Sequence, residues 1–145
     1  KTEMNPRWLL PVDGSLAALR AVDHALGEVL GATTAPAISL VNVQRPLPSD
    51  ITRFVSGTVV HDYHHDTGET ALADARARLE DAGVAYSEHV LVGEAAPTIS
   101  NFARENGCTL IIMGSRGLGT VSGILLGSVT SRVVHLTDLP VVVVK

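Results

Sequence analysis

The chain has 145 residues, 46% of them hydrophobic and 18% charged, which excludes an intrinsically disordered chain and predicts a single domain spanning residues 1–145. A formal charge of −4 and only 3% aromatic residues argue against nucleic acid as a partner, since phosphates lack a cationic surface and bases lack stacking platforms. One cysteine, Cys108, excludes an internal disulfide framework; with no apolar run near the ~18 residues of a membrane span and no leader-like N-terminus, the expectation is a cytoplasmic protein away from the membrane.

Arg7-Trp8-Leu9-Leu10-Pro11-Val12-Asp13 is an apolar run that closes on an acid and then Gly14-Ser15, the pattern of a strand followed by a turn. Pro11 suits the C-terminal end of that strand, where ladder pairing is finishing. Ser15 is placed to cap the next helix, in which Leu16, Leu19, Val22, Ala25, Leu26, Val29 and Leu30 repeat at 3-4 spacing as far as Gly31. A second strand covers 37–43. Residues 44–68, with Pro46, Pro48 and Gly57, show little periodicity and read as a long irregular segment of the kind that is functional or mobile. This segment contains His61-Asp62-Tyr63-His64-His65-Asp66, the one candidate metal cluster. His61 and His65 would share a face only in a helix, so a solvated lid without a metal is expected.

Ala71, Ala75, Leu79 and Ala82 then mark a helix that Gly83 stops. A third strand follows at 84–92, a helix at 94–106, a fourth strand at 109–113 and a last helix ending near Asp138. Leu139-Pro140-Val141-Val142-Val143-Val144 closes the chain as a fifth strand. Strands alternating with helices call for a parallel sheet covered on both faces. In such sheets ligands sit beyond the strand C-termini, where the strand order reverses. Asp13 and Gly114 both fall at strand C-termini.

The most informative stretch is Met113-Gly114-Ser115-Arg116-Gly117 followed, nine residues on, by Gly127-Ser128-Val129-Thr130. Its frame is G-x2-G-x9-G-S. Glycines at a strand exit let main-chain N–H groups approach a ligand, and a helix N-terminus adds unpaired donors and the positive end of its dipole. Together they describe an anion site, with the hydroxyls of Ser128 and Thr130 suited to phosphate oxygens and Arg116 as a fork donor. Each glycine alone fits a plain turn; the joint spacing is what points to a nucleotide.

These motifs resemble the universal stress protein family, in its ATP-binding subgroup. The resemblance rests on Pro11-Val12-Asp13-Gly14-Ser15, on Asn42-Val43, on the glycine frame with Val129-Thr130 and on the closing valine strand, and it covers nearly the whole chain. It implies a five-stranded parallel sheet of order 3-2-1-4-5, Rossmann-like and of the adenine-nucleotide α-hydrolase type. It also implies that Pro11, Val12, Asp13 and Val43 hold the adenosine end. Met113, Gly114, Arg116 and Gly117 would then line the ribose and phosphates, and Gly127, Ser128, Val129 and Thr130 would meet the phosphates. The implied ligand is ATP, or ADP or AMP, with Mg²⁺ carried on the phosphates.

No P-loop, no G-x-G-x-x-G after the first strand and no G-x-S-x-G elbow is present, and no water-activating base accompanies the glycine frame. The expectation is therefore a binding protein that regulates an unidentified protein partner, with slow ATP hydrolysis at most. The alternatives are a slow hydrolase or nucleotidyl transferase using the same crevice, and a nucleotide-free chaperone or interaction module. In the implied order Val141–Val144 is an apolar sheet edge, which predicts a homodimer paired through it.

Overall fold

A computed structural model describes residues 5–116 and 126–145. Five parallel strands, β1 (Arg7–Pro11), β2 (Ala37–Gln44), β3 (Tyr86–Val92), β4 (Leu110–Gly114) and β5 (Val141–Val144), form one sheet of order β3-β2-β1-β4-β5. The order 3-2-1-4-5 is as expected. Leu9 and Leu10 show why both faces must be covered: they are 0% and 1% exposed and, being adjacent in a strand, point to opposite sides. Leu10 packs with Val22, Leu40, Leu72 and Leu79 under helices α1 (Leu16–Gly31) and α3 (Gly57–Asp81). Leu9 packs with Val41, Ile99, Phe102, Ile111 and Val133 under α4 (Ala95–Glu105) and α5 (Ser128–Leu136).

The switch in strand order lies between β1 and β4, since the chain goes from β1 to β2 on one side and from β4 to β5 on the other. The β1–β4 ladder runs no further than Leu9↔Ile111, whereas β1 and β2 stay paired to Pro11↔Val41. Pro11 has no N–H to extend the β4 side, so the proline sits where no ladder bond is lost. Ser15 caps α1 as expected, its hydroxyl accepting from Ala18 N at 3.2 Å.

The segment 44–68 is the correction. It is not irregular: a short helix α2 (Ser49–Thr52) is followed by α3, a helix of 25 residues that begins at Gly57. The Ser56 hydroxyl accepts from Val59 N at 3.2 Å and starts it. Gly57, which reads as a breaker, stands in the first turn, where it interrupts nothing. The buried stripe of α3 is His64, Gly68, Leu72, Ala75 and Leu79. Its spacing is helical throughout, but its first two members are not apolar, so periodicity shows only the second half. Glycine at 68 permits close contact, for a Cβ there would lie 2.5 Å from a methyl of Val90. Among the described residues no helix is long and apolar enough to cross a membrane.

Candidate functional site

A crevice of about 140 Å³ opens where β1 and β4 part. Every predicted site residue within the described range lines it. Pro11, Val12 and Asp13 come from the end of β1, Val43 from β2, and Met113, Gly114 and Arg116 from β4 and its exit. Gly127, Ser128, Val129 and Thr130 come from the start of α5. Gly117 lies outside the described residues. Four separate elements thus converge on one place from positions more than a hundred residues apart in sequence.

The α5 end of the crevice is a helix N-terminus without a side-chain cap. Gly127 is the N-cap residue and its side chain can supply no oxygen, so the first-turn N–H groups face the crevice rather than a capping hydroxyl. Gly127 N donates to Ser115 O at 2.6 Å, and Ser115 N donates to Val144 O at 2.8 Å. These bonds tie α5 to β4 and β5 and fix its start. Ser128 is exposed, whereas Thr130 is 3% exposed and donates its hydroxyl proton to Gly114 O at 2.8 Å. The two hydroxyls therefore differ: the proton of Thr130 is engaged by the protein, and Ser128 stands open to an anion.

At the end of β1, Asp13 also lines the crevice and accepts from Ser15 N at 2.9 Å through Oδ1, an Asx turn that orients its carboxylate. Gly14 follows at φ +87°, and a Cβ there would reach Ala71 Cα of α3 at 3.6 Å. Val12 is held by β2 through both of its main-chain polar atoms. Its N–H donates to Val41 O, and its carbonyl accepts from Asn42 Nδ2, both at 2.8 Å.

Sequence reasoning missed Ser15, Ala18, Val41, Ala95 and Ile99, which also line the crevice. Val41 had a signal: it lies two residues before Val43 and shares its face of β2. Ala95 and Ile99 had none, because only the crossover that lays α4 beside α5 brings them there.

A second cavity, of about 310 Å³, lies between α3 and β3 and is lined by His61, His64, His65, Glu69, Glu88 and His89. Helix α3 does place His61 and His65 on one face, with rings stacked 6.5 Å apart. His64, 6% exposed, turns Nε2 to Arg45 O at 3.0 Å. Arg76 bridges Glu88 at 2.8 Å and Glu69 at 2.6 Å, and those bonds hold its guanidinium more firmly charged despite partial desolvation. Among the described residues no three His, Cys, Asp or Glu side chains stand in a metal-holding group. Cys108 is buried beside β4, and desolvation raises its thiol above the ordinary range, more than Arg7 lowers it.

The family model described as the Universal stress protein family matches residues 4–145. Universal stress protein YxiE of Bacillus subtilis is 28% identical over 96% of this chain and 98% of its own length. Universal stress protein MJ0531 of Methanocaldococcus jannaschii is 31% identical over 94% of this chain and 80% of its own length. Among solved structures, MJ0577 of the same archaeon superposes with a TM-score of 0.82 at 28% identity, covering 99% of this chain and 97% of that one. A universal stress protein solved in complex with cAMP superposes with a TM-score of 0.72 at 26% identity, over 99% of both chains.

Proposed function

Because the chain belongs to the universal stress protein family, we propose that it binds an adenine nucleotide, ATP or its ADP and AMP products, in the crevice between β1 and β4. The observation that carries this reading is the convergence there of an open helix N-terminus, the exposed Ser128 and the Asp13 carboxylate. A phosphate group meets the first turn of α5, whose N–H groups and dipole favour negative charge. Asp13 accepts a hydrogen bond from a ribose hydroxyl. Val43 meets the base with its main chain: alternate residues of β2 address β1, and Val43 addresses that side beyond the point where β1 has ended. A cAMP-bound relative of the same fold supports an adenosine ligand.

Asp13 is the one acidic side chain among the described lining residues. A Mg²⁺ ion would therefore be held through the phosphates rather than by a carboxylate cage. The activity is binding, with hydrolysis slow at most, and the occupied crevice is the state that a protein partner reads. The protein acts in the cytoplasm as a homodimer joined through β5, whose four valines are each half-buried at the sheet edge.

Thermal melting with and without Mg-ATP tests this reading. Ligand at about 100 times its dissociation constant stabilises by roughly 2.7 kcal/mol, a rise of about 5–10 °C in a domain of this size. Millimolar ATP, ADP and AMP all leaving the melting temperature unchanged would sink it.

A further inference from the structure

The pairing of β1 with β2 stops one bond early, and a buried side chain stops it. The register Pro11↔Val41 and the bond from Val12 N to Val41 O set the next step of the ladder. In that step the Val12 carbonyl would accept from Val43 N–H. It does not. The carbonyl accepts instead from Asn42 Nδ2 at 2.8 Å, and among the described residues Val43 N–H has no hydrogen-bond partner. Asn42 is 2% exposed, and its amide cannot turn round freely, because Gln44 Nε2 donates to Asn42 Oδ1 and keeps the NH₂ group on Val12. An unpaired main-chain N–H at the edge of a binding crevice is a donor kept for a ligand.

We infer that Asn42 is a positioning residue for base recognition: by capturing the Val12 carbonyl it keeps the Val43 N–H open to the crevice, beside the Val43 C=O. This deepens the proposed adenine-nucleotide site and rests on it for the identity of the ligand. Open, the Val43 edge offers one donor and one acceptor. That pair matches the N1 acceptor and N6 amino donor of adenine, and it mismatches inosine, whose N1–H donates and whose O6 accepts. Without the Asn42 donor, the Val12 carbonyl takes the Val43 N–H and the edge closes.

Two variants test it, Asn42→Asp, which keeps the shape but lacks the donor when ionised, and Asn42→Ala. In the ligand-free protein the Val43 amide should exchange its hydrogen quickly, and in a folded variant at least tenfold more slowly, as it enters the ladder. ATP affinity should fall roughly tenfold, the size of one lost hydrogen bond, while inosine triphosphate affinity stays level, so that discrimination collapses. In Asn42→Asp the effect should reverse as pH is lowered and the introduced carboxyl regains a proton to donate. Unchanged Val43 exchange, or equal losses for both nucleotides, would overturn the inference. If the wild type bound no adenine nucleotide the proposed function would fail, yet the exchange measurement would still decide the role of Asn42.

Discussion

Gly114 and Ala17 touch so closely that a Cβ on Gly114 would lie 2.6 Å from the Ala17 carbonyl carbon and 2.7 Å from its oxygen. The first turn of α1 rests directly on the end of β4. The first glycine of the crevice motif is thus required by helix packing alone. It sets how near the two walls of the crevice stand.

Gly114→Ala should accordingly destabilise the ligand-free protein. The atoms that must move are backbone, so the cost is that of overpacking, roughly 2–3 kcal/mol. The melting temperature should drop by about 4–12 °C. A drop of less than 2 °C by calorimetry would show that α1 can shift away from β4.

Ser128 and Thr130 should separate binding from stability. Thr130→Val leaves the Gly114 carbonyl buried without its 2.8 Å donor and should cost about 1–3 kcal/mol of stability. Ser128→Ala, at an exposed position, should alter stability by no more than about 0.5 kcal/mol and yet reduce the rise in melting temperature that ATP produces. Equal effects of the two substitutions on both readouts would contradict this division.

Gly68 and Val90 should show strong coupling. Gly68→Ala drives a methyl group into Val90 and should cost about 1–3 kcal/mol, whereas Gly68→Ala combined with Val90→Ala should recover part of it. The two losses adding without interaction in denaturant unfolding would mean that α3 simply lifts off β3.

Tyr86 should give an alkaline signature. Desolvation first, and then the 2.6 Å bond its hydroxyl donates to Glu80, raise its pKa from 10.0 to about 12. The folded state therefore keeps a proton that the unfolded state has lost between those values. Its contribution is present in full below pH 10 and disappears as pH rises through about 12. In a Tyr63→Phe background the phenolate absorbance should have its midpoint near the upper value, and Glu80→Gln should bring it down. A midpoint at the ordinary value in the folded protein would refute the assignment.

The strands of the sheet and most of the crevice were legible because they depend on local signals, whereas the strand order followed only from the family resemblance. Leu9-Leu10 before Pro11, and Leu110-Ile111-Ile112-Met113 before Gly114, announce buried strands with abrupt exits. What was not legible is the first half of α3, where the buried stripe passes through His64 and Gly68. A histidine that meets the Arg45 carbonyl and a glycine that admits Val90 are core positions only by virtue of their partners, and neither partner is near in sequence. Ala95 and Ile99 stayed hidden from the crevice for the same reason.

From residue order alone came the family, the strand order it implies and the spacing G-x2-G-x9-G-S, since periodicity and glycine placement are properties of neighbours along the chain. Tertiary structure decided how those residues divide their roles. It committed the Thr130 hydroxyl to Gly114 while Ser128 stayed open, packed Gly114 on Ala17, and drew the Val12 carbonyl to Asn42. Each is a choice between competing partners, and a hydrogen bond or a contact is chosen by distance in space, which only the folded sheet sets.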